Sequence, residues 1–180
     1  LFHNLFTNGI VYLNLGFDLH SLPANWLPYI PIFGQALIEM GTSRQDDVRL
    51  SQRIGRETGG IYPDWFTSNV RGSSHSAAFL FLHAKAITKQ AGELLNILKD
   101  LLLDVQLDNR ERFKQILLEA KADMEAQLIP AGHRFVNRRL RARYSEADWA
   151  SEQMGGIDYL FFLRQLVNKV DNQWTSVLDT

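Results

Sequence analysis

The chain opens with a period of two. In "IVYLNLGFDL", residues 10–19, Val11, Leu13, Leu15 and Phe17 fall on one face and Tyr12, Asn14 and Asp18 on the other. This alternation predicts a half-buried strand. The next stretch, "SLPANWLPYIPIFGQALIEMG", carries Pro23, Pro28 and Pro31. Proline is tolerated in the first turn of a helix, so the pattern predicts a helix from about Pro28 to Met40, stopped by Gly41. Asp46 and Asp47 open a short helix, since early acids suit the positive end of its dipole, and Gly59-Gly60 close it.

Two extended runs follow, "IYPDWFTSNVRG" and "SHSAAFLFLHAKAI", joined by a predicted hairpin turn at Gly72, Ser73 and Ser74. From about Thr88 the period becomes helical. Leu94, Leu98, Leu101 and Val105 form one stripe, widened by Leu95 and Leu102. Asp108 as N-cap with Glu111 behind it marks a restart, after which Phe113, Leu117, Ala120, Met124 and Leu128 share a face. Pro130-Ala131-Gly132 interrupts this helix, "HRFVNRRLRARY" resumes it, and Ser145 with Asp148 caps another. Ile157, Leu160, Phe161, Leu163, Leu166, Val167 and Val170 give a strongly apolar final helix. The order predicts an α+β fold, a small antiparallel sheet covered by long helices, in a single domain over residues 1–180.

His75 and His83 invite a metal-site reading, which the strand pattern over 74–86 removes. His75, Ala77, Phe79, Phe81, His83 and Lys85 share one face; Ser76, Ala78, Leu80, Leu82, Ala84 and Ala86 share the other. At ~3.3 Å per residue the two histidines stand roughly 26 Å apart, and a helix would still separate them by about 12 Å. Zinc holds its nitrogen ligands at ~2.0–2.1 Å, so one ion cannot bind both. His3, His20 and His133 are scattered and form neither HExxH nor HxxEH. The histidines read as ordinary strand residues near the ends of the sheet.

Composition narrows the chemistry further. The chain has 180 residues, a net charge of -1 and no cysteine. Disulfides, thiolate zinc sites and cysteine nucleophiles are excluded, and no global charge draws the chain to nucleic acid or anionic membrane. No apolar run approaches the ~20 residues of a membrane span. The start, "LFHNLFTNGI", lacks an initiator Met and the pattern of a signal peptide, and "NQWTSVLDT" ends without a stop signal. Both ends read as cuts in a longer chain. An intracellular place, cytoplasm or organelle matrix, is the expectation.

Arg134, Arg138, Arg139, Arg141 and Arg143 form a basic stretch in which Arg134, Arg138 and Arg141 align at i, i+4, i+7. Such a row suits an anion. The plainer reading is a solvated face partly paired to acids such as Glu146 and Asp148. "QRIGRETGGI" has its glycines after a helix and before a strand, the wrong order for a phosphate loop. No GxSxG elbow occurs, adjacent Asp46 and Asp47 do not converge, and Trp65, Trp149 and Trp174 read as core or interface anchors. No catalytic, cofactor-binding or metal-ligating residue is assigned.

Five long strings carry a resemblance: "TNGIVYLNLGFDLHSLP", "LPYIPIFGQALIEMGT", "LSQRIGRETGGI", "QAGELLNILKDLLLDVQLDNRERFKQILLEAKADMEA" and "RLRARYSEADWASEQMGGIDYLFFLR". Together they resemble the presequence protease branch of the pitrilysin/insulinase zinc metallopeptidases, at the start of its second half. The resemblance implies a mitochondrial processing peptidase-like domain, the third and catalytically degenerate one of four. Zinc and its HxxEH motif would lie in an earlier domain, and the other domains of the same polypeptide and a peptide substrate would be the partners. It also implies a sheet with more strands than the three read here. The implied function is a non-catalytic domain in the wall of a closed peptide chamber. A structural module on a degenerate peptidase fold, or an anion-binding module using the 134–143 arginines, stands beside it.

Overall fold

A computed structural model describes residues 6–73 and 75–179. Strand β1 (Ile10–Asp18) runs through two short 3-10 turns into helix α1 (Ile30–Glu39), and α2 (Asp47–Glu57) follows. Strands β2 (Ile61–Asn69) and β3 (Ser76–Ile87) come next, then α3 (Ala91–Leu103), α4 (Arg110–Gln127), α5 (Gly132–Arg141), α6 (Glu146–Gly155), α7 (Ile157–Asn172) and the short α8 (Trp174–Leu178). The architecture is α+β, as the pattern predicts.

The three strands form one antiparallel sheet in the order β1-β3-β2, with Leu13 opposite Ala84 and Trp65 opposite Leu80. Central β3 alternates along its length. Ala78, Leu80, Leu82, Ala84 and Ala86 are buried, whereas Phe79, Phe81 and His83 are only half-buried. Period-two side chains thus send one face into the helices and leave the other uncovered. The region 61–69 is the second strand already read, and the described residues hold no further one to match the larger sheet that the resemblance implies.

Helices cover the inner face in three patches. Leu50 of α2 and Leu94, Ile97, Leu98 and Leu101 of α3 pack on Ile61, Ala84 and Ala86. Ala150 and Met154 of α6 pack on Ala78 and Leu80. Behind them α1, α4 and α7 join through Ile32, Ala36, Ile116, Leu117, Leu163 and Leu166. Each fully buried leucine or isoleucine contributes roughly 1.5–3 kcal/mol relative to exposure.

Several boundaries and faces differ from expectation. Pro28 lies in the 3-10 turn Ala24–Tyr29, and α1 begins after it with Pro31 in its first turn. The N-cap of α4 is Asn109, not Asp108: its side chain accepts from the Arg112 N–H. Leu95 and Phe161 are exposed, 57% and 51%, because no described helix packs on the flank of either stripe. Val105 lies beyond the end of α3 and bridges to Thr42. Of the kink or break expected at Pro130-Ala131-Gly132 the structure has the break, with α4 ending at Gln127 and α5 starting at Gly132. The Gly72–Ser73 turn is present, with Gly72 at φ +75, while Ser74 and His3 lie outside the described residues.

Candidate functional site

Three places gather polar or aromatic chemistry. The first is the uncovered sheet face, onto which His83 projects. His83 Nδ1 lies 2.8 Å from Asn14 Oδ1, and its ring stacks between Tyr62 and Phe81 at centroid distances of 5.0 and 5.6 Å. Asp64 Oδ2 stands 4.0 Å from its other nitrogen. His75 sits eight positions back, exposed just before the same strand begins, so the structure does not bring the two together. Tyr12, Tyr62 and Phe66 lie 61%, 55% and 47% exposed on this face. Among the described residues, no three His, Asp or Glu side chains could hold a metal ion.

The second place is invisible in the sequence. His20 Nδ1 lies 2.7 Å from Asp18 Oδ1, and His20 Nε2 lies 3.4 Å from Ser76 Oγ. Acid, imidazole and hydroxyl stand in the order of a nucleophile relay. The Ser76 hydroxyl, however, donates to Glu146 Oε2 at 2.7 Å. Its single proton points at a carboxylate, not at the imidazole that would have to take it, so the network works as a tie between the end of β1, the start of β3 and the start of α6. Hydrogen bonds from the His20 backbone N–H, then its ring, hold the Asp18 carboxyl below its usual range, and the Ser76 hydroxyl does the same to Glu146. The Asp18–His20 pair, Ser76 and Glu146 come from three separate segments, and only tertiary packing assembles them.

The third place is a cleft of about 710 Å³ where β2, α5 and α6 meet. Arg134, Arg138 and Arg141, the row read from the sequence, all line it. Arg141 pairs with Asp148 at 2.8 Å, as expected. Glu146 does not join the arginines; it is taken by Ser76. Arg139, outside the row, pairs with Asp158 at 2.5 Å and the buried Glu152 at 3.4 Å. Arg138 lies over the Trp65 ring, 5.7 Å from its centroid, and donates to the Gly155 carbonyl. Burial lowers its pKa and Glu152 opposes that, but a guanidinium stays charged.

The described residues thus form one antiparallel sheet packed on one side by helices. The family described as peptidase M16, subfamily C, associated matches residues 1–166, and the chain belongs to that family. It is 42% identical over 97% of its length to presequence protease 1, chloroplastic/mitochondrial, of Arabidopsis thaliana, of which it covers 16%. It is 27% identical over 91% of its length to protein HypA of Clostridium perfringens, covering 17% of that protein. To the mitochondrial presequence protease of Yarrowia lipolytica it is 26% identical over 93%, again covering 17%. The chain thus spans about a sixth of the length of the curated relatives it matches, in line with the resemblance read from its long strings.

Proposed function

We propose that residues 1–180 act as one non-catalytic domain of a longer zinc metalloendopeptidase that degrades short unstructured peptides. The observation that carries this is the extended match to presequence protease 1 over a small part of that protein's length. The zinc and the base that activates its water would come from elsewhere in the longer chain. The uncovered sheet face, with Tyr12, Tyr62 and Phe66, would form part of the wall of the closed chamber. Aromatic side chains on a rigid sheet suit sequence-tolerant contact with passing peptides. The other domains of the same polypeptide would be its partners. An organelle matrix fits the relatives named chloroplastic/mitochondrial and mitochondrial; no described helix is long and apolar enough to cross a membrane.

The test is elemental zinc and fluorogenic-peptide turnover, measured on this chain alone and on the complete polypeptide. Turnover and zinc are expected only in the complete polypeptide. Stoichiometric zinc with turnover in the 180-residue chain would overturn the proposal. For the wall, a photo-crosslinking residue at Tyr62 or Phe66 of an inactivated complete polypeptide should capture bound peptide, whereas one at exposed Leu103 should not. Equal capture at all three positions would remove the chamber-face assignment.

A further inference from the structure

The cleft beside α5 joins two features that a solvated arginine face does not need: an unpaired cation surplus and the free edge of a strand. Among the described residues β2 is an edge strand, since β3 lies between it and β1. The β2–β3 ladder is flanked by Lys85 N–H to Gly60 carbonyl at 3.3 Å and Val70 N–H to His75 carbonyl at 3.4 Å. Antiparallel pairing alternates, so even-numbered residues of β2 bond across to β3. The odd-numbered ones, Ile61, Pro63, Trp65, Thr67 and Asn69, therefore turn their backbone polar groups to the open edge. Pro63 fits this parity, for proline has no N–H to present there. Thr67 and Asn69, at the far end, line the cleft. The Asn69 carbonyl takes only a 3.3 Å bond from the Ser68 hydroxyl, and no other described backbone group bonds to Thr67 from outside the sheet.

Across the cleft stand Arg134, Arg138 and Arg141; Asp148 is the one described carboxylate in the lining, and the charge of buried Glu152 acts on Arg138 as well. Asp148 is engaged by Arg141 at 2.8 Å. No described carboxylate forms an ion pair with Arg134 or Arg138, and Arg138 is held rigid between the Trp65 ring and the Gly155 carbonyl. The net charge of the whole chain is -1, so the local positive surplus is a property of this cleft and not of the surface at large.

We propose that this cleft binds an extended acidic peptide segment, which adds to the free β2 edge at Thr67 and Asn69 and sets alternate carboxylates against Arg134 and Arg138. Strand addition supplies backbone bonds independent of sequence, and the arginines select for acid at every second residue. A nucleic acid would want aromatic platforms for its bases, and no described Phe, Tyr or Trp lines the cleft, whose one ring is His133.

The experiment titrates the 180-residue chain with three fluorescein-labelled probes: a decapeptide of alternating glutamate and threonine, its lysine–threonine counterpart, and an oligothymidylate. The glutamate peptide alone should bind. Arg134→Ala should weaken it about tenfold and flatten its salt dependence. Thr67→Pro removes an edge-facing N–H without taking a bond from the β2–β3 ladder and should weaken it by a similar factor, with far-UV circular dichroism checking the fold against the fixed φ of proline. If that variant does not fold, a glutamate peptide N-methylated at alternate residues tests the same backbone bonds and should bind in only one of its two methylation frames. Binding unchanged by Arg134→Ala, or unchanged by both edge tests, overturns the proposal. So does equal binding of the lysine peptide or the oligothymidylate, or equal competition by free glutamate. None of these readouts requires proteolysis, so they stand or fall apart from the function proposed above.

Discussion

The Glu152 carboxylate accepts the backbone N–H of Ile157 at 3.0 Å, so a fully buried acid at the end of α6 caps the start of α7. The Asp158 N–H reaches the same oxygen at 3.3 Å, and Arg139 lies 3.4 Å away. Gly156 makes room for it: a Cβ there would overlap the carboxylate. Glu152→Ala leaves buried helix-end donors unmade and should lower stability by about 2–3 kcal/mol. Glu152→Gln keeps an acceptor oxygen and should cost less than half as much. Gly156→Ala should match or exceed the Glu152→Ala loss. Urea midpoints of the three variants check the order.

Arg53 ties α2 to α3. Its guanidinium meets Glu93 at 2.6 Å and Asp100 at 2.7 Å. Arg53→Ala should cost roughly 1–2 kcal/mol at neutral pH, the lower end reflecting partial solvent screening of the acids. The Arg53 hydrogen bond, then that of Asn96, holds the Glu93 pKa below its ordinary 4.5. A depressed carboxyl pKa stabilises the fold above the unfolded value and loses that contribution as pH falls through the folded value. The stability gap between wild type and Arg53→Ala should therefore be full above pH 4.5 and close as the pH drops below it. Thermal unfolding across acid pH measures the gap.

How much of this is legible in the sequence depends on how many segments each feature needs. The β3 alternation is readable because one strand carries it: Leu80 and Leu82 must face inward together. The arginine row is readable for the same reason, as Arg134, Arg138 and Arg141 share one helix face. Their counterpart is not, because Thr67 and Trp65 come from a strand some seventy residues earlier and only packing brings them to α5. Nothing local in "DWASEQMGG" marks Glu152 as buried, since only the fold brings the start of α7 onto it. The Ser76–His20–Asp18–Glu146 network fails in the same way. The pattern overreads Leu95 and Phe161 because amphipathic spacing fixes the centre of an apolar stripe but not its width, which the neighbouring helices decide.

Leu163 and Phe161 separate the two readings of the last long helix. Leu163 is 0% exposed within the α1–α4–α7 cluster, and Phe161 is 51% exposed. Leu163→Ala should cost about 2–5 kcal/mol through lost burial and the cavity left behind. Phe161→Ala should change stability by no more than roughly 0.5–1 kcal/mol, since about half of the residue already lies in solvent and Arg164 stands 6.0 Å from its ring centroid. Equal losses in urea unfolding would mean that Phe161 is covered in solution.

Asn109 and Asp108 are neighbours of equal capping ability, so the start of α4 is decided by geometry alone. Asn109 Oδ1 accepts from the Arg112 N–H at 3.1 Å. That bond also aims Arg112, whose side chain reaches Glu39 at 2.8 Å and Asp47 at 3.2 Å and so draws α1, α2 and α4 together. Asn109→Ala should cost about 1 kcal/mol, while Asp108→Ala should stay within a few tenths. Asn109→Asp keeps the acceptor and adds charge at the positive end of the helix, so it should hold or gain a few tenths of a kcal/mol. Guanidinium unfolding of the three variants gives the answer. A larger loss from Asp108→Ala than from Asn109→Ala would move the cap back by one residue, to the position expected from the sequence pattern.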